Sequence, residues 1–128
     1  MRLLLDTHLV LRALAEPDRL KPSLRDAIES AQNQVLFSTA SIWEIAIKSG
    51  LGRPDFSVRP EEVATEALAR GFDELLIGWR AAAAVADLPL HHRDPFDRII
   101  VAQAMTEPIH LYTVDPKLRP YTDLVRLV

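Results

Sequence analysis

The arrangement of apolar residues constrains this chain more than any other feature: short apolar runs recur between amphipathic stretches, and two of the runs stop at a carboxylate. Leu3-Leu4-Leu5 stops at Asp6, residues 109–114 stop at Asp115, and Val35-Leu36-Phe37 leads into a segment with apolar residues at helical spacing. Unbroken apolar runs of this length suit strands buried on both faces, and the amphipathic stretches between them suit crossover helices. The pattern predicts an α/β domain with a mostly parallel sheet. At 128 residues and 48% hydrophobic, the chain supports one continuous core, so a single domain over 1–128 is expected.

Strands are predicted at 2–6, 35–37, 74–77, 109–114 and 124–128, and helices at 8–15, 23–31, 39–49, 60–71, 79–87 and 95–106. The helix over 39–49 is expected to place Ile42, Trp43, Ala46 and Ile47 on its apolar side. Trp43 and Trp79 accordingly read as core or interface residues, with base stacking as the alternative. Pro60-Glu61-Glu62 has the chemistry of a helix start, with proline in the first turn and acids at the positive end of the helix dipole.

The sequence has no cysteine, which excludes disulfides, thiolate metal sites and a cysteine nucleophile. His8, His91, His92 and His110 lack a tight zinc-ligand spacing and fall on different elements. The N-terminus lacks the long apolar stretch of a signal peptide, and no run approaches the roughly 20 apolar residues needed to span a bilayer. A cytoplasmic protein without a membrane partner is expected. Net charge is −3, which argues against a broadly basic nucleic-acid coat. Setting aside Asp6, Glu44, Asp94, Asp97 and Asp115 leaves −3 + 5 = +2, an acidic hole in a mildly basic body, which is compatible with RNA as substrate.

Those five acids fall where a parallel sheet opens a crevice, beyond the carboxyl ends of its strands. Asp6 and Asp115 follow strands, Asp94 and Asp97 bracket a helix start, and Glu44 lies one or two turns into a helix entered from a strand. Two unit charges about 5 Å apart repel by roughly 3 kcal/mol at an effective dielectric near 20, so a cluster of them calls for a cation. Hard oxygen donors point to Mg²⁺ or Mn²⁺, and such an ion suits phosphodiester hydrolysis. Each acid also has a structural reading. Asp94-Pro95-Phe96-Asp97 fits an N-cap with proline at the first helical position, Ser41-Ile42-Trp43-Glu44 fits a capping box, and Asp6 and Asp115 suit turns.

Four segments in order, Leu3-Leu4-Leu5-Asp6-Thr7-His8, residues 41–48 around Glu44, residues 94–104 beginning Asp-Pro-Phe-Asp-Arg, and Tyr112-Thr113-Val114-Asp115, resemble a PIN domain of the VapC toxin type over essentially the whole chain. The resemblance implies a three-layer α/β/α fold and Mg²⁺- or Mn²⁺-dependent endoribonuclease activity. Its acidic positions map to Asp6, Glu44, Asp97 and Asp115, with Asp94 as an auxiliary ligand or helix cap. Thr113 matches the hydroxyl residue that supports the last acid, and is counted with Lys48, Arg98, Lys117 and Arg119 among candidate substrate contacts. The implied partners are a cognate antitoxin protein covering the acidic cleft and a second toxin subunit, giving a homodimer and a toxin–antitoxin hetero-oligomer. The rival from another class is a Mg²⁺-binding phosphoacceptor receiver domain. Such domains want adjacent acids after the first strand and a lysine after a later one, whereas Asp6 is followed by Thr7 and Asp115 by Pro116. An Asp-x-Asp phosphatase is disfavoured because position 8 is histidine.

Overall fold

A computed structural model describes residues 1–128. Five strands, β1 (Arg2–Leu5), β2 (Gln34–Ser38), β3 (Asp73–Leu75), β4 (His110–Thr113) and β5 (Val125–Leu127), form one sheet in the order β3-β2-β1-β4-β5, and every pair is parallel. The helices are α1 (Thr7–Ala15), α2 (Pro22–Glu29), α3 (Thr39–Gly50), α4 (Pro60–Ala69), α5 (Trp79–Ala84) and α6 (Pro95–Thr106). Side chains alternate along each strand, so the sheet feeds two cores. Leu5, Val35 and Phe37 pack with Leu9 and Val10 of α1 and with Val63 and Ala67 of α4. Leu4, Leu36 and Leu111 pack with Ile100, Val101 and Ala104 of α6 on the other face. The result is the expected three-layer α/β/α architecture.

The chain steps outward from β1 to β2 to β3, then crosses back to β4 on the other side of β1. Connections that leave neighbouring strands in opposite directions open a crevice at the strands' carboxyl ends. Here that crevice lies between the ends of β1 and β4. Asp6 and Asp115 are the residues that leave the two strands on either side of this divide.

Local chemistry sets the element ends. β1 stops at Leu5 because Asp6 turns to cap α1, its Oδ1 accepting the backbone N–H of Leu9 at 2.9 Å. Gly71, just past α4, takes φ +89°, a conformation that side chains with a Cβ resist. The segment expected as one helix over 79–87 divides into α5 and a 3-10 turn at Val85–Asp87. Gln103 of α6 is buried, accepts the Ser38 hydroxyl at 2.5 Å and donates to the Leu75 carbonyl at 3.2 Å, tying α6 to the ends of β2 and β3.

The main departure from the sequence pattern is α3. Its buried residues are Ala40, Ser41, Glu44 and Ile45, while Trp43 is 57% exposed and Ala46 and Ile47 are also exposed. Apolar residues occur around most of this helix, so their spacing alone does not choose the buried stripe; polar partners supplied by α1 do. Trp43 meets Phe96 edge-on with ring centroids 5.2 Å apart. Trp79 is 71% exposed, with the Arg80 guanidinium over its ring, so neither tryptophan is a core residue. The helix begins three residues earlier than a capping box at Ser41 requires. Ser38 is its N-cap and accepts the Ala40 N–H at 2.9 Å.

Candidate metal and catalytic site

Asp6 is buried at the end of β1 with both carboxylate oxygens engaged. Oδ1 caps α1, and Oδ2 accepts the hydroxyl of Thr113 from the neighbouring β4 at 2.5 Å. The same Thr113 hydroxyl accepts the backbone N–H of Asp115 at 3.0 Å. One buried threonine therefore fixes the first acid and the backbone of the last. Thr113 is fully buried, so the substrate contact considered for it gives way to this supporting role.

Glu44, 2% exposed, projects from α3 into the same region. Its Oε1 accepts the Thr7 hydroxyl at 2.6 Å, and that hydroxyl also lies 2.9 Å from the Ser41 hydroxyl. Its Oε2 is paired with the ammonium of Lys48, one turn further along α3. Lys48 also stands 3.8 Å from Asp94 Oδ2 and over the ring of Phe56. A buried carboxylate needs such partners, since desolvation otherwise favours its neutral form.

The start of α6 brings the next two acids. Asp94 is the N-cap, its Oδ1 accepting from Phe96 N at 2.8 Å and Asp97 N at 3.3 Å. Asp97 Oδ2 lies 2.9 Å from Nε2 of His92, and that nitrogen is also 3.1 Å from Asp115 Oδ2. Single ligand atoms from His92, Asp97 and Asp115 all lie within 4.8 Å of one another. Asp115 Oδ1 accepts the Lys117 backbone N–H at 2.9 Å.

Charge accumulates faster than the chain neutralises it. Burial, followed by the negative charges of Asp94, Glu44 and Asp6, pushes Asp97 up to about 6, and the hydrogen bond from His92 only partly opposes this. Burial also raises Asp6 above the usual carboxylate range in spite of its hydrogen bonds from Thr113 and Leu9. Lys48 is the only ammonium paired with these acids. A partly buried cluster of five carboxylates with one imidazole beside it and a surplus of negative charge fits a hard divalent cation.

Asp6, Glu44, Asp94, Asp97 and Asp115 thus meet at one edge of the sheet. The basic residues considered for substrate are placed differently. The Lys48 ammonium is spent on Glu44 and Asp94. The Arg98 guanidinium donates to the carbonyls of Val85, Leu88 and Pro89 and to the Tyr121 hydroxyl, which leaves it as the organiser of a loop. Arg119 lies 3.4 Å from the Thr122 carbonyl and 3.5 Å from Asp123. Lys117 is exposed, with no ion pair. The i,i+4 spacing of Glu44 and Lys48 is visible in the sequence, but the carbonyls that consume Arg98 are not. His92, rejected as a zinc ligand on spacing, is the site residue the pattern missed; its position two residues before Asp94 was the available signal.

The sequence matches the family described as PIN domain over residues 3–123. No curated protein matches it. Among solved structures, the fold is similar to a chain in the crystal structure of VapBC2 from Rickettsia felis bound to a DNA fragment from their promoter, with a TM-score of 0.71 and 16% identity over 100% of this chain and 98% of that one.

Proposed function

This chain belongs to the PIN-domain family, and from that premise we propose that it is a metal-dependent endoribonuclease, the toxin of a VapBC-like toxin–antitoxin pair. Family membership sets aside the receiver-domain alternative. The observation that carries the nuclease reading is the gathering of Asp94, Glu44 and Asp6 around Asp97, whose carboxyl is pushed up to about 6 by burial first and by these charges second. Such crowding is costly to folding and is relieved by a bound cation.

Asp6, Glu44 and Asp97 are the residues that would hold Mg²⁺ or Mn²⁺, with Asp115 completing the site and Asp94 as helix cap and auxiliary acid. The ion, when bound, supplies Lewis acidity toward a phosphodiester and lowers the pKa of water. The chain supplies the orientation: Thr113 turns Asp6, Thr7 turns Glu44, and Lys48 balances the charge of Glu44 from behind. Lys117, exposed two residues after Asp115, is the residue proposed to meet a substrate phosphate. Hydrolysis adds water across the P–O3′ bond of the RNA.

The proposed partners are an antitoxin that covers this acidic edge and a second copy of the chain, in the cytoplasm. No helix is long and apolar enough to cross a membrane. The deciding experiment is cleavage of end-labelled structured RNA with Mn²⁺ or Mg²⁺, with EDTA, and with Asp97→Asn. Cleavage that needs the ion and falls at least about 100-fold in the variant supports the reading; equal rates for the two chains, or full activity in EDTA, would defeat it.

A further inference from the structure

We propose that His92 is a positioning residue of this site, donating its Nε2–H to Asp97 from the side next to Asp115, so that the ion is taken up by the remaining carboxylate oxygens. This inference rests on the metal-dependent reading above and adds to it a specific arrangement around Asp97.

The neighbouring backbone assigns the ring's proton. Nδ1 of His92 accepts the N–H of Arg93 at 3.1 Å. A nitrogen that accepts a hydrogen bond carries no proton, so the single ring proton of the neutral imidazole lies on Nε2. That nitrogen is hydrogen-bonded to Asp97 Oδ2 at 2.9 Å and lies 3.1 Å from Asp115 Oδ2. A ligand role for Nε2 requires the proton to move to Nδ1, which would then meet the Arg93 N–H donor to donor. The loop conformation therefore favours hydrogen-bond donation over metal ligation.

The oxygens are also divided between two duties. Asp115 Oδ1 is taken by the Lys117 N–H, while Asp97 accepts only through Oδ2 and its Oδ1 is not buried without a partner. Asp97, which feels the charges of Asp94, Glu44 and Asp6, thus keeps its second oxygen free of hydrogen bonds for an ion. Nor does His92 hold its place unaided. Tyr121 accepts the backbone N–H groups of His91 and His92 at 3.1 and 2.9 Å, and Arg98 binds Tyr121 together with four carbonyls, those of Val85, Leu88, Pro89 and His92 itself. Partners of this kind orient the carboxylates that hold a metal, and their loss typically weakens metal binding about 10- to 100-fold.

The test is Mn²⁺ binding to the full chain by calorimetry, joined to pulsed electron paramagnetic resonance of the loaded protein and long-range ¹H–¹⁵N correlation of the metal-free protein. His92→Ala is expected to raise the Mn²⁺ Kd about 10- to 100-fold. His92→Gln, whose amide nitrogen sits the same number of bonds along the side chain, is expected to recover most of the loss. The wild type should show the Nε2–H tautomer and no nitrogen directly bonded to Mn²⁺. Unchanged or tighter binding in His92→Ala overturns the proposal, as does a directly bonded imidazole nitrogen or an Nδ1–H tautomer. Should His92→Ala fail to fold, His92→Asn, which is too short to reach either acid, gives the same comparison. Absence of Mn²⁺ binding in the wild type defeats the metal reading itself, whereas the tautomer measurement needs no ion and judges His92 separately.

Discussion

Thr113 donates its hydroxyl to Asp6 at 2.5 Å although 107 residues separate them, because β1 and β4 lie side by side at the point where the sheet reverses its order. The contact is fully buried and its acceptor is a carboxylate, so it belongs to the stronger class of hydrogen bonds. Thr113→Val keeps the shape and removes the donor. The expected cost is about 1.5–3 kcal/mol of unfolding free energy near neutral pH, read from urea titrations. Thr113→Ser, which retains the hydroxyl, should lose markedly less.

Lys48 is expected to behave as part of the core rather than as a surface cation. Replacing it with methionine leaves Glu44 buried with the Thr7 hydroxyl as its remaining partner, at a cost of about 3 kcal/mol. Glu44→Gln in the same chain should restore much of that loss. A double-mutant cycle measured by urea unfolding reads the coupling; additive effects of the two substitutions count against this account.

The acid cluster makes the stability of the metal-free chain depend on pH in a defined direction. The carboxyl of Asp97 titrates at about 6 when folded, against an ordinary value of 3.8. Between those values the folded chain binds more protons than the unfolded one, so stability contributed by this group falls as pH rises and levels off above about 6, by up to about 3 kcal/mol. Buried Asp6, also raised, acts in the same sense. Thermal melts from pH 4 to 7 in EDTA should show less of this decline in Asp97→Asn than in the wild type. Mn²⁺, the ion proposed for the ionised cluster, should raise the wild-type melting temperature most at the upper end of that range.

Arg98 and Lys117 should separate cleanly in an RNA-binding assay with an Asp97→Asn chain that does not cut. Lys117→Ala is expected to reduce the slope of log K against log salt by about 0.7, the value for one phosphate contact on a single strand. Arg98→Lys should leave that slope unchanged and destabilise the chain by about 2 kcal/mol, because an ammonium lacks the fork that serves the carbonyls of Val85, Leu88 and Pro89 together. A reduced slope for Arg98→Lys would return Arg98 to the substrate.

The sequence by itself determined the alternation of strands and helices, the parallel sheet, the helix entered at Asp94-Pro95 and the placement of Asp6 and Asp115 at strand ends. These are short-range properties: apolar period, capping chemistry and turn residues act between neighbours along the chain. Only the tertiary structure decided that α3 turns Glu44 inward and Trp43 outward, that Lys48 and Arg98 spend their charge within the protein, and that His92 stands between Asp97 and Asp115. Apart from the Glu44–Lys48 pair, which stands at i,i+4 spacing on α3, those outcomes depend on which group arrives from another element, as Thr7 does for Glu44 and Tyr121 for the His92 loop. A buried charge takes its orientation from partners that packing brings within about 3 Å, and residue spacing along one element carries no record of them.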